Sequence, residues 1–266
     1  MSVTIIGCGW LGFPLGKELV NEGHLVHGSV RDTVKFEKLR EVGIHPFQLD
    51  LELSTEVSTE IVESTKILII AIPPLHRKEP KKYRNILTEL LLQFPNETRV
   101  IFTSSTGIYP KVAGNFDEGF EFNLKQDSTV LNVSENAIRQ SKKSHVIFRL
   151  GGLIGPNRHP IRFLQGRQNV KNPHGPINFV HQGDCIEAIR LAVAKAAFSG
   201  TFNLVYPDHP SRQNYYSDAA KHYGLSAPHF EESDAVDRRV SSEKILNDSS
   251  FKFKFRIDNF PKLKLN

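Results

Sequence analysis

Sulfur is scarce in this chain: 266 residues hold two cysteines, Cys8 and Cys185, and a single methionine. Two thiols cannot build a disulfide framework, and such low usage fits a reducing compartment. Long apolar runs are missing as well. The longest, residues 67–72, has the length of a strand and falls far short of a bilayer-spanning helix. No basic segment precedes Val3-Thr4-Ile5-Ile6, so no secretory leader is expected and the chain reads as starting directly in structure. The eleven histidines are scattered and no Cys/His spacing suits zinc, so no metal is expected. Internal repeats and low-complexity tracts are absent. What remains is the expectation of a soluble, cytoplasmic protein with no membrane partner.

The composition that is present, 39% hydrophobic and 24% charged, is that of an ordinary globular protein with ample chain for a core. Lys plus Arg exceeds Asp plus Glu by 34 to 29, a net +5 that favours anionic ligands without choosing among them. The alternating stretch Phe251-Lys252-Phe253-Lys254-Phe255-Arg256 reads as a strand with its phenylalanines buried and its cations outside, blunting a sheet edge. That reading is preferred to a nucleic-acid site, because charge runs are usually solvated faces.

Apolar β-branched runs at 3–6, 25–30, 66–72, 100–104, 145–150 and 201–205 lack strict polar alternation, as strands covered on both faces do. Helical stripes lie between them. Leu11, Leu15, Leu19 and Val20 form one that stops at Gly23; Ile86, Leu87, Leu90 and Leu91 form a second; Val130, Val133, Ala137 and Ile138 form a third. A further helix is expected to start at Asp184 as N-cap and end before Gly200, and another to span 211–223 with Gly224 as its stop. This alternation predicts an α/β fold: a parallel, doubly wound, Rossmann-like sheet. Residues 155–175, rich in Asn, Arg, His, Pro and Gly, read as a long functional loop.

Gly7-Cys8-Gly9-Trp10-Leu11-Gly12 sits between the first strand and the first helix. Glycine there permits a tight turn and a close backbone approach to a pyrophosphate, which the helix N-terminus then meets with unpaired N–H groups. The second strand closes with Gly28-Ser29-Val30-Arg31. An acidic residue at that position would hold the ribose hydroxyls of NAD; Arg31 stands where it can pair with a 2′-phosphate, so NADP is expected over NAD.

In order along nearly the whole chain, these segments resemble an extended or atypical short-chain dehydrogenase/reductase, the NAD-dependent epimerase/dehydratase family. The glycine loop is one residue tighter than the family's Gly-x-x-Gly-x-x-Gly. Leu49-Asp50-Leu51 resembles the acidic stretch that contacts adenine, placing Asp50 and Leu51 at the cofactor. Ala71-Ile72-Pro73-Pro74 closes the fourth strand where the family's chain passes the cofactor, which adds Ala71 and Pro73. Phe102-Thr103-Ser104-Ser105-Thr106-Gly107-Ile108-Tyr109 is similar to the Ser-Ser-x-x-Val-Tyr-Gly stretch, and Arg149-Leu150-Gly151-Gly152-Leu153-Ile154-Gly155-Pro156 to Arg-x-x-x-x-Tyr-Gly-Pro. Asn178-Phe179-Val180-His181-Gln182-Gly183-Asp184 looks like the family's Asn-x-Ile-His-x-x-Asp element.

One departure is as informative as the matches. The family's acid/base is a Tyr followed four residues later by Lys, and no Tyr-x-x-x-Lys occurs in this chain. On the corresponding helix, 128–137, one register puts Leu131 and Glu135 in the Tyr and Lys places; the other puts Asp127 and Leu131 there. Ser105 matches the serine that hydrogen-bonds the substrate oxygen, against a strand end satisfying its own backbone. Tyr109 is the tyrosine nearest the expected nicotinamide, though Ala113 four residues on cannot activate it. Asp117 and Glu118 read as surface carboxylates. Arg158 and Arg162 follow the Gly155-Pro156 turn where family members reach substrate, so they and His181 are the substrate-side candidates. Solvated loop cations and a structural histidine are the competing readings.

The resemblance implies a Rossmann domain over 1–154, its sheet completed by 177–206, and a small substrate lobe over 155–266 interleaved with the sheet. It implies hydride transfer at a carbinol or carbonyl of a sugar nucleotide or similar polar, phosphorylated metabolite, with a homodimer as the family's usual assembly. The missing pair leaves open a different class: a non-catalytic, NADP(H)-sensing regulatory protein.

Overall fold

The computed structural model describes residues 1–76, 78–122, 129–233 and 236–264. β1 (Ser2–Ile6) leads into α1 (Gly12–Asn21), β2 (Leu25–Val30), α2 (Phe36–Arg40), β3 (His45–Gln48), α3 (Thr59–Ser64), β4 (Ile67–Ile70), α4 (Pro80–Gln93) and β5 (Arg99–Ser105). β6 (Gly114–Phe116), α5 (Val130–Gln140), β7 (His145–Leu150), β8 (Gly152–Ile154), α6 (Ile161–Leu164), β9 (Phe179–His181) and α7 (Gln182–Ala194) follow. β10 (Gly200–Leu204), α8 (Arg212–Tyr223), β11 (Arg238–Val240) and α9 (Glu243–Asp248) complete the described elements.

A seven-stranded sheet runs in the order β10-β7-β5-β4-β1-β2-β3, and its pairs β1–β2, β1–β4, β2–β3 and β4–β5 are parallel. Ile5 lies opposite Gly28 on one side and Ile69 on the other. Strand order reverses between β1 and β4, and the carboxyl ends of strands at such a switch point are where an open α/β sheet binds ligands. All four residues of β4 are buried, which explains its unbroken Ile-Leu-Ile-Ile run. Two small parallel pairs, β6–β11 and β8–β9, stand apart from the main sheet.

Two compact units result: Met1–Ile108, Glu121–Phe148 and Ala188–Thr201 form the first; Tyr109–Phe120, Arg149–Glu187 and Phe202–Asn266 form the second. The first is built on an apolar cluster that includes Leu68, Ile70, Leu87, Leu90, Val100 and Ile147. The second centres on Ile154, Ile161, Ile177, Tyr215 and Ala219. The expected boundary at 154 falls inside the second unit. No helix among the described residues is long and apolar enough to cross a membrane.

The sequence expectations and the structure differ at several places; among them, α7 ends at Ala194, short of Gly200, and α6 lies within the expected 155–175 loop. α7 begins at Gln182, so Asp184 lies in its first turn instead of capping it. Residues 251–256 form no strand: Phe251 is buried, Phe255 is 40% exposed, and the backbone is held by Asp184 rather than by a ladder. β4 stops at Ile70, before the expected end at residue 72. Elsewhere local chemistry acts as read: Ser211 accepts a hydrogen bond from the Asn214 N–H to cap α8, and left-handed Gly224 ends it.

Within the first unit, one buried side chain finishes a helix. Arg99, 7% exposed, donates from Nη1 to the carbonyls of Ala192 and Lys195 and from Nη2 to that of Phe198, closing the C-terminal end of α7. Helix ends leave such carbonyls without intrahelical partners, and a guanidinium fork answers several of them together. Arg99→Leu should therefore lower the unfolding free energy by roughly 2–4 kcal/mol, because it strands buried acceptors. Removing the exposed Arg190–Glu22 pair with Arg190→Ala should cost less than about 1 kcal/mol. Urea denaturation with unchanged slope would measure both, and equal effects would contradict this assignment.

Candidate functional site

The first unit's switch point is shaped by the glycine turn. Gly7 takes φ +102°, its N–H donates to Ser29 Oγ at 2.9 Å, and the Cys8 N–H donates to the Ser29 carbonyl at 2.8 Å. These two bonds from β2 pin the turn. A Cβ on Gly12 would fall 2.2 Å from the Gly7 carbonyl oxygen, so α1 can start against the end of β1 only with a bare α-carbon. At Gly9, by contrast, an added Cβ would meet nothing within 4 Å, leaving an open approach to the loop. α1 has no side-chain cap at Leu11 and no acidic residue in its first turn, so its N-terminal dipole faces an anion unopposed.

A cavity of about 230 Å³ adjoins the turn. Of the sequence-predicted cofactor residues, Gly7, Cys8, Gly9, Arg31, Asp50, Leu51, Ala71 and Pro73 line it. Trp10, Leu11 and Gly12 do not: Gly12 packs beneath Gly7 and Leu11 is buried. Lys35 lines the cavity too, a residue the sequence reading did not single out. It closes the short turn Thr33–Lys35, whose cap is Asp32, with Oδ1 accepting the Val34 N–H at 3.0 Å. Asp32 is thereby engaged with its own backbone, and two cations, Arg31 and Lys35, stand at the end of β2. Asp50, the cavity's carboxylate, accepts the Glu52 N–H at 3.1 Å. Cys8 is buried against the α-carbon of Gly28, and burial pushes its thiol up to about 12, so it fills space and is no nucleophile. The glycine turn fits a pyrophosphate, and the cation pair fits a further phosphate.

At the end of β5, half-buried Ser105 accepts the Gly107 N–H at 3.1 Å through Oγ, which leaves its O–H as a donor. A Cβ on Gly107 would touch Ser105 Oγ at 3.3 Å and Leu131 Cδ1 at 3.6 Å, so Leu131 lies over the same turn. Leu131 takes one of the pair's two places in either register, so its position over this turn fits both; Asp127 and Ser128 lie outside the described residues. Glu135 is fully buried. Its Oε1 accepts from Ser104 Oγ and its Oε2 from Arg139 Nη2, both at 2.7 Å. On this helix the chain thus presents an isobutyl group, Leu131, over the Ser105 turn and a sealed carboxylate, Glu135.

The second unit seals Tyr109. The ring is 2% exposed; its hydroxyl accepts from Arg149 Nη1 at 2.8 Å and faces the Asp117 carbonyl and Asn203 Oδ1 at 2.8 and 2.9 Å as acceptors. Arg149 is the activating cation that a search four residues along could not find. Even so, burial outweighs it and holds the phenol above its ordinary range. This geometry corrects the expectation of Tyr109 as an acid: it is a buried hub. Glu118 accepts the Asn203 N–H and is half-buried, whereas Asp117 is exposed and caps the Gly119 N–H.

The substrate-side candidates are placed separately. Arg162 is committed to the carbonyls of Lys264 and Asn157, anchoring the tail. Exposed Arg158 exchanges backbone hydrogen bonds with Gly155. His159 is buried; its Nδ1 accepts the Ile161 N–H, so Nε2 carries the proton toward Tyr215 Oη, and burial lowers it to about 4. His181 Nδ1 accepts the Gly183 N–H, and the ring stacks on Phe255 at 4.6 Å. Asp184 is buried and accepts the N–H groups of Lys254 and Phe255 at 2.8 and 3.4 Å; burial raises it to about 6. Asp184 thus holds the backbone at Lys254 and Phe255, and half-buried His181 packs on the Phe255 ring.

Comparison with known proteins agrees with this geometry. The NAD(P)H-binding family profile matches residues 7–177. Protein YeeZ of Escherichia coli K12 is 31% identical over 265 residues, covering 96% of each chain. A conserved protein of unknown function from Silicibacter pomeroyi superposes with TM-score 0.75 at 19% identity, covering 97% of this chain and 95% of its own. The UDP-glucuronic acid 4-epimerase of Bacillus cereus, solved with NAD, gives TM-score 0.78 at 16% identity with the same coverage. The glycine turn, the switch-point cavity and these matches together establish that the chain belongs to the NAD(P)H-binding family, with the fold of the extended short-chain dehydrogenase/reductases.

Proposed function

We propose that the chain binds NADP(H) in preference to NAD(H) and acts as an oxidoreductase or epimerase on a phosphorylated or nucleotide-linked polar metabolite. The observation that carries the cofactor choice is the joint placement of Arg31 and Lys35 on the switch-point cavity, with Asp32 withdrawn to cap its own turn. A ribose with two hydroxyls asks for a carboxylate acceptor at the end of β2; a 2′-phosphate asks for cations. Asp50 and Leu51 adjoin the adenine, Ala71 and Pro73 the path toward the nicotinamide, and the N-terminal end of α1 the pyrophosphate, since the Gly7, Cys8 and Gly9 N–H groups are engaged within the turn. Bound NADP(H) supplies hydride transfer. The chain's own part is to hold the phosphates and to offer the Ser105 O–H to the substrate oxygen. Leu131 excludes water over the same turn and moves no proton, so the proton comes from solvent or from the substrate. Arg158 is the candidate for the substrate's anion.

Leu131 in the acid's place favours a second reading, a non-catalytic NADP(H) sensor. Losing a positioned general acid typically costs about 10²–10⁴-fold in rate, so any reduction should be slow on unactivated carbonyls. Mixing the NADPH complex with a panel of sugar nucleotides and phosphorylated carbonyl compounds separates the two. Loss of nicotinamide absorbance in a single turnover, weakened by Ser105→Ala, supports the enzyme; stable binding with no turnover across the panel supports the sensor.

Two further outcomes test the cofactor site. Trp10, the chain's only tryptophan, lies in the glycine turn, so its emission should be quenched by NADPH. The Arg31→Ala/Lys35→Ala double variant should weaken NADPH binding roughly 10²–10⁴-fold while changing NADH binding less than about 3-fold, since each of the two charged hydrogen bonds contributes about 1.5–3 kcal/mol. Gly12→Ala should abolish binding of both nucleotides and lower the melting temperature, because its Cβ collides with the Gly7 carbonyl. Tighter binding of NADH than of NADPH by the unaltered chain would reverse the cofactor assignment.

A further inference from the structure

We infer that Ser29 holds the adenosine ribose of the bound dinucleotide, its Oγ–H donating to the ribose 3′-oxygen. The inference rests on the NADP(H) reading above and gives the ribose a partner of its own. Ser29 lies on β2 between Gly28 and Val30. A Cβ on Gly28 would meet Cys8 Sγ at 2.6 Å and Ile44 Cγ2 at 2.7 Å, so Gly28 faces one side of the sheet. By the alternation of a strand, the Ser29 side chain faces the other side. Ser29 lines the switch-point cavity together with Ile6, Leu49 and Leu51.

The hydroxyl is one hydrogen bond short. A serine hydroxyl has one O–H to donate and two lone pairs with which to accept. Ser29 Oγ accepts the Gly7 N–H at 2.9 Å, and its side chain makes no other hydrogen bond among the described residues. The residue is 3% exposed and borders the cavity, so the acceptor it lacks is one that the cavity's occupant brings. Its place on the strand names that acceptor. On one side Ser29 is bonded to Gly7, in the turn beside the pyrophosphate position. On the other, Arg31 is two residues on, about 6.5 Å along an extended chain, and lines the same cavity at the position assigned to the 2′-phosphate. In a 2′-phosphorylated dinucleotide the group between those two phosphates is the adenosine ribose. With its 2′-oxygen phosphorylated, the 3′-hydroxyl is the ribose hydroxyl left to accept.

The test is a double-mutant cycle between the hydroxyl on the protein and the hydroxyl on the ligand. Calorimetry with adenosine 2′,5′-bisphosphate and with its 3′-deoxy analogue, on the unaltered chain and on Ser29→Ala, gives the four affinities. On the unaltered chain the 3′-deoxy ligand should bind about 3–10-fold more weakly, the loss of one hydrogen bond between neutral groups. On Ser29→Ala the two ligands should bind within about 2-fold of each other, and Ser29→Thr, which keeps the hydroxyl, should restore the difference. A serine that serves only to pin Gly7 would weaken both ligands by the same factor in the Ala variant and leave their ratio unchanged; that result would overturn the inference. Equal affinity of the two ligands for the unaltered chain would overturn it as well, and that comparison stands even where loss of the Gly7 bond keeps Ser29→Ala from folding. In either case, quenching of Trp10 by NADPH in the unaltered chain would leave the dinucleotide reading standing. If the unaltered chain binds neither NADPH nor NADH, that reading falls and the inference with it.

Discussion

Everything downstream in the first unit depends on how closely α1 approaches the end of β1. The gap between Gly12 and the Gly7 carbonyl is too small for a methyl group, and Ser29 on the neighbouring strand holds the turn from the other side. That contact points the uncapped end of α1 at the switch point. It also brings the loop after β4 to the edge of the same cavity. A parallel sheet opens a crevice wherever its strand order reverses; the glycine contact gives this crevice amide donors and a helix dipole.

Around that fixed point the charges separate by role. Arg31 and Lys35 line the cavity, whereas three buried or tethering arginines are committed elsewhere. Arg99 closes a helix end, Arg149 supports a buried tyrosine, and Arg162 ties down the tail. The carboxylates are sorted likewise. Asp32 and Asp50 cap turns, Glu135 is sealed between Ser104 and Arg139, and Asp184 holds a backbone segment. The site is well furnished to hold phosphates and poorly furnished to move protons. This imbalance is why binding and turnover need separate measurement.

Much of the architecture was legible in the sequence because it rests on local rules. β2 and β7 match the runs read at 25–30 and 145–150, and the glycine turn was visible as a motif between a strand and a helix. β3 was harder to see: it is a sheet edge, it contains Pro46, and it has none of the Val/Ile density of a central strand. Residues 251–256 deceived by true alternation. The N–H groups of Lys254 and Phe255 are taken by a carboxylate seventy residues away, a pairing no local pattern encodes. The same limit hid Arg149 as the partner of Tyr109 and Lys35 as the partner of Arg31. The register of α5 was not legible in the sequence, because Leu131, which lies over the Ser105 turn, takes one of the pair's places in both alternatives.

The central claim is that the glycine turn and the end of β2 together hold a 2′-phosphorylated dinucleotide. A crystal structure of the chain grown with NADP tests it most directly. The pyrophosphate is expected at the N-terminal end of α1 beside the glycine turn, and the 2′-phosphate within ion-pair distance of Arg31 and Lys35. A nucleotide bound away from the turn, or seated there with its 2′-phosphate turned from both cations, would contradict it.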